Sequence, residues 1–301
     1  MLAHPLTPAE AARAASFSWD PWGLAAIGAA STCYALGWRA LAKRGAGAPK
    51  AWQASAYGLG LVTLFFALES PLDSWSDLRF AAHMSQHELL MVVAAPLMVL
   101  GKPFYVCLWA LPARLRATAA AFLRSPTVKV GRVFFGTPVL VVAMHALVRW
   151  CWHLPVLFEA AMRNDALHAF QHFTFFASAA WLWWTILEGR FGRAGYGVGI
   201  LFVFATAFHT SLLAALLSLA PEGFYPIYAE RGLEPGAELL EDQQLGGLLM
   251  WVPSAVLLLV SALALFVAWL GEAERRARRR AARTKLEDSN VPRNRLTEET
   301  A

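Results

Sequence analysis

Residues 245–270 read LGGLLMWVPSAVLLLVSALALFVAWL, without one charged side chain, and residues 272–285 read EAERRARRRAARTK, dense in arginine. An α-helix rises 1.5 Å per residue, so roughly 20 apolar residues cross a hydrocarbon core of about 30 Å. The first stretch therefore predicts a transmembrane helix. The basic flank marks its cytoplasmic end, because Lys and Arg are retained on that side. The same arginines suit anionic headgroups, at about 1 kcal/mol each near the surface.

Working outward, six more apolar stretches precede this one, at 24–42, 54–68, 80–100, 133–150, 167–187 and 198–219. They predict an all-α integral membrane protein, a bundle of about seven transmembrane helices. With 57% hydrophobic and 16% charged residues, the chain has too little charged surface for a water-soluble fold of its length. Of its 26 Lys and Arg residues, all but Arg13, Arg79, Arg149, Arg163 and Arg231 fall in alternate loops and the C-terminal tail. The opposite side holds most of the acids, including Glu222, Glu230, Glu234, Glu238, Glu241 and Asp242. This asymmetry places the N-terminus outside and the C-terminus in the cytoplasm, with an odd number of spans.

Residues 1–18 read as an external segment without the apolar core of a cleavable signal. Residues 19–270 form one membrane domain, and 271–301 a basic cytoplasmic tail, disordered beyond residue 285. Residues 104–124 mix Trp109, Leu111 and Phe122 with Arg114, Arg116 and Arg124, and Pro112 interrupts them. They are expected along the inner interface as a connector. Cys33, Cys107 and Cys151 are scattered and imply no disulfide framework. The formal charge of +5 follows the membrane pattern and not that of a nucleic-acid binder. Walker A, nucleotide and nucleophilic-triad motifs are absent, so neither a nucleotide nor ordinary catalysis is expected.

With this topology, seven of the eight histidines lie near outer helix ends. His83 and His87 fall one and two turns below the outer surface, and His168 and His172 at matching depth. His145, His153 and His209 occupy the same slab. Residues four apart stack on one helical face, so each H-x-x-x-H pair can aim two imidazoles at one ion. Ionisable side chains inside a bilayer are costly and usually serve a site. Helix packing is the plainer reading for His145 and His153 taken alone, and small-hydrophobe packing for Cys151. Met84, Met91, Met144, Met162 and Met250 lie near the layer, and thioether with imidazole suits Cu(I). Most are expected as core filler, with Met250 the exception. Glu88, a carboxylate well inside the third span, is expected to face the bundle and pair with a histidine or stay protonated.

The blocks HMSQHELLMVVAAPLMVLGKP at 83–103, WHLPVLFEAAMRN at 152–164, LHAFQHFTFF at 167–176, HTSLLAALL from His209, PIY ending at Tyr228, and DQQLGGLLMWVP at 242–253 occur in order. Together they resemble the caa3-type cytochrome c oxidase assembly factors, the CtaG-type polytopic membrane proteins. That resemblance implies a multi-pass protein of the bacterial plasma membrane, needed to form an active haem–copper oxidase and supplying copper to its subunits. It carries metal-site positions to His83, His87, His153, His168, His172, His209, Asp242 and Met250. Glu88 departs from the more usual apolar residue after the second histidine. Three readings compete: a di-iron oxidase with histidine boxes, a b-type cytochrome holding haem between two histidines, and a transporter with broken midplane helices.

Overall fold

In a computed structural model the described residues are 16–45, 47–188, 195–232 and 237–289. Every regular element among them is helical, with no strand. Helix α1 (Pro21–Ala42) starts where the Asp20 carboxylate accepts the Gly23 N–H at 2.6 Å, with proline in the first turn, where its missing N–H would have no partner anyway. Helix α2 (Ala51–Glu69) leads into the short α3 (Pro71–Ser76), capped by Ser70.

Helix α4 (Phe80–Glu88) continues through a π-helical segment (Leu89–Ala94) into α5 (Ala95–Leu100). The cause is legible locally. The Ala95 N–H donates to the Leu90 carbonyl, five residues back. The next residue in that register is Pro96, which has no N–H to give the Met91 carbonyl. The Trp183 indole N–H supplies the missing bond, at 2.9 Å.

Three short helices follow: α6 (Pro103–Leu108), α7 (Ala113–Arg124) and α8 (Pro126–Phe135). The predicted connector at 104–124 covers most of α6 and all of α7, with the expected interruption at Pro112 between them. Between α6 and α7 the Trp109 ring is flanked by the guanidinium groups of Arg44 at 4.6 Å and Arg116 at 4.3 Å. Helix α9 (Pro138–Trp152) leaves α8 at 65°, so the predicted stretch 133–150 straddles a bend, where Pro138 cannot continue the preceding helix. Next come α10 (Pro155–Met162), α11 (Asp165–Leu187), α12 (Gly195–Ser218) and the single turn α13 (Ile227–Glu230). Helix α14 (Ala237–Ser289) closes the order and runs four residues into the stretch expected to be disordered.

Six of the seven predicted stretches follow helices to within one residue, and 133–150 is interrupted at residues 136–137. Helices α2, α12 and α14 are long and apolar enough to cross a membrane, and α8 with α9 qualifies as one bent pair. The bundle is inside-out relative to a soluble protein. Phe204, Phe208, Val252, Leu259 and Val267 are exposed, whereas Glu88, Arg149, Gln171 and several histidines are buried. That is the arrangement lipid solvation favours, with ionisable groups turned inward. Helix α14 lies against both α12 and α4, and small residues set the approach: Gly246 faces the Phe80 ring, and Gly247 faces Ser218.

Candidate metal centre

Helix α4 takes its start from α14. The Asp242 carboxylate accepts the Phe80 N–H at 2.6 Å, and Arg79 pairs with Glu238 at 2.7 Å. This fixes the helix that carries His83 and His87, whose ring centroids lie 4.3 Å apart. On α11, Asn164 caps the first turn by accepting the Leu167 N–H, and the His168 and His172 rings lie 4.2 Å apart. The two pairs face each other. His83 is 5.1 Å from His168 and 6.0 Å from His172, and His87 is 5.2 Å from His172. His153, just past the end of α9, comes within 6.4 Å of His87. One ligand nitrogen from each of His83, His168 and His172 lies within 4.8 Å of the other two.

Most ring nitrogens of this cluster lack protein partners. Both ring nitrogens of His83 and of His87 are buried without a hydrogen bond, as are Nε2 of His153, His168 and His172. Gln171, on the same helix, is buried with both amide atoms unpaired. Buried polar groups are nearly always satisfied, so a concentration of orphans points to an ion or water held there. His153 shows which nitrogen is on offer. Its Nδ1 lies 2.6 Å from the Arg149 carbonyl, which can only accept, so Nδ1 carries the hydrogen and Nε2 the lone pair. The walls are aromatic: Phe158 packs on His83 at 5.1 Å and Phe175 on His87 at 4.5 Å. Imidazoles within an aromatic shell fit copper, zinc or iron by donor type.

The remaining predicted residues lie differently. Asp242 caps α4. Met250 is buried in an apolar cluster with Phe80, Met84, Phe158 and Met162. His209 pairs with His145, at 5.5 Å between centroids. Cys151 is a free, partly buried thiol. Glu88 does not pair with a histidine: it accepts from Arg149 at 2.7 Å and from Ser254 at 2.7 Å. By sequence Arg149 reads as an outer flank residue. The signal that it belongs inside is its spacing with His145 and His153, at i, i+4 and i+8 along one face of α9 and its C-cap.

Residues 32–272 match the cytochrome c oxidase caa3 assembly factors. The chain belongs to that family. Among curated relatives of this caa3 assembly factor family member, an uncharacterized protein of Mycobacterium leprae (strain TN) is 25% identical over 229 residues, covering 70% of this chain. One of Mycobacterium bovis (strain ATCC BAA-935 / AF2122/97) is 26% identical over 259 residues, covering 82%. The chain spans 33% and 38% of those relatives' own length. No solved structure matches. The blocks that carried the resemblance fall on α4 to α5 and on α9 to α14; of these, α4, α11 and the end of α9 carry the histidine cluster and α14 supplies the cap.

Proposed function

We propose that this chain is a non-catalytic assembly factor of the bacterial plasma membrane that receives copper as cargo at its buried histidine cluster and hands it to haem–copper oxidase subunits. The fuller reading has seven spans, with the N-terminus and the cluster toward the outside and the arginine-rich tail in the cytoplasm. The observation that carries the cargo reading is the trio His83, His168 and His172, with ligand nitrogens within 4.8 Å and no protein partner for most of them. His87 and His153 extend the donor set to five imidazoles. Asp242 acts by holding α4 in place, and Met250 and Met84 stand in the adjoining wall as soft donors for transfer.

Imidazole and thioether hold Cu(I) without demanding a rigid geometry, which suits a carrier that must release its ion. Elemental analysis and an optical spectrum of the detergent-purified protein test this directly. Copper without a haem band is the expected result, and a Soret band would replace the reading with a b-type cytochrome. Replacing His172 or His87 by Ala should abolish copper retention and oxidase maturation while membrane insertion is unchanged. Normal maturation in both variants would overturn the assembly mechanism.

A further inference from the structure

Two guanidinium groups from segments far apart in the chain rest on one indole. Arg44, just past the end of α1, lies 4.6 Å from the centre of the Trp109 ring, and Arg116 on α7 lies 4.3 Å from it. We propose that this clamp and the apolar face of α7 dock on the membrane surface and hold one anionic phospholipid by its phosphate.

Like charges repel, so their meeting on Trp109 calls for an anion beside them. The chain does not supply one. Residues 39–53 hold four Lys or Arg and residues 101–135 hold six, and neither stretch has an Asp or Glu. Among the described residues no carboxylate pairs with Arg44 or Arg116, and Arg116 donates to the Leu111 carbonyl at 3.5 Å. A guanidinium over an aromatic ring keeps its N–H edge free, and that planar fork matches two oxygens of a phosphate.

The surroundings select a lipid over a free anion or an acidic protein. No residue of α7 is buried. Leu115, Ala119 and Phe122, at i, i+4 and i+7, share one helical face, and Arg114 and Arg116 stand to either side of Leu115. Leu115 and Phe122 are exposed, and Phe104 on α6 is 84% exposed. Apolar side chains left open beside arginines suit a helix lying in the headgroup layer, with its apolar face toward the acyl chains and its charges at phosphate level. Tryptophan is enriched at that same depth. The docking does not depend on the copper reading.

The experiment is native mass spectrometry of the full-length detergent-solubilised protein titrated with phosphatidylglycerol or phosphatidylcholine, read as lipids retained per chain. The native protein is expected to keep one phosphatidylglycerol in preference to phosphatidylcholine. R44Q/R116Q should weaken that retention by about tenfold or more, while R278Q/R279Q/R280Q in the tail leaves it unchanged. Should R44Q/R116Q fold poorly, R44K/R116K keeps both charges without the planar fork and is expected to weaken retention as well. Excess inorganic phosphate or a polyglutamate peptide should not displace the lipid. The inference is overturned if either arginine-pair variant retains phosphatidylglycerol like the native protein, if only the tail variant loses it, or if phosphate or the acidic peptide displaces it.

Discussion

A carboxylate and a guanidinium at 2.7 Å, both buried among helices, are stable only together. Removing one partner of a buried pair leaves an uncompensated charge, at about 3–5 kcal/mol, whereas replacing both by apolar groups is often neutral. Glu88→Gln is therefore expected to destabilise the detergent-solubilised protein by about that amount, and E88L/R149M to recover most of the loss, read by thermal unfolding. Equal loss in single and double variants would mean that packing, not charge, is at stake. Glu88 was visible in the sequence as a carboxylate in an apolar span. Its partner was not, because Arg149 stands beside Trp150 at a helix end, and depth without rotation made it a surface residue. The same blindness hid the division of the histidines: the sequence assigns seven of them one expected depth, but rotation about α9 and α12 sends His145 and His209 to one another. Gln171 was missed although a glutamine between His168 and His172 in an apolar helix is a polar group needing a reason.

Among the elements, the π segment is the most constrained. Pro96 deprives the Met91 carbonyl of a backbone donor, and Trp183 on α11 replaces it. Trp183→Phe should cost about 1–3 kcal/mol, the penalty for a buried unpaired carbonyl. Pro96→Ala restores an N–H in the chain, so the same Trp183→Phe change made in that background should cost less. Equal costs in the two backgrounds, measured by thermal unfolding, would show that the indole acts by packing alone. The sequence displayed both residues, yet nothing local to either announces the other 87 positions away. The break in the connector was legible, because Pro112 falls between the helices that end at Leu108 and begin at Ala113. In α14, Glu272 accepts from Arg276 at 3.1 Å and from Arg275 at 3.2 Å, and these bonds hold its carboxyl below the ordinary range. A carboxyl depressed in the folded state contributes stability above its unfolded value and loses it as pH falls. A peptide spanning residues 268–285 should therefore lose helicity on acidification from pH 7 toward pH 3, by circular dichroism, and E272Q should flatten that dependence.

For the whole molecule, composition and periodicity made the lipid environment and the helical class plain, since apolar stretches need no knowledge of neighbours. Which helices touch was beyond them: that depends on glycines such as Gly246, whose reading as a contact with Phe80 needs three dimensions. The proposed orientation has its own test. Reporter fusions after Gly45 and Ser125 should read cytoplasmic and one after Asp77 external, and an external signal at Ser125 would reverse the assignment. Deleting the gene should lower haem–copper oxidase activity without affecting haem synthesis, with partial rescue by added copper. Normal activity in a strain lacking any paralogue would remove the assembly role. Helix α14 joins these levels. It is one rod of 53 residues, roughly 80 Å long, against a hydrocarbon core of about 30 Å. Near one end Asp242 grips the start of the helix bearing His83 and His87, and roughly 45 Å along it the Glu272 and arginine rows begin. Helix α14 is therefore a bracket: the carboxylate that seats the histidine-bearing helix and the arginine rows belong to one continuous helix, with Pro253 removing a backbone donor between them.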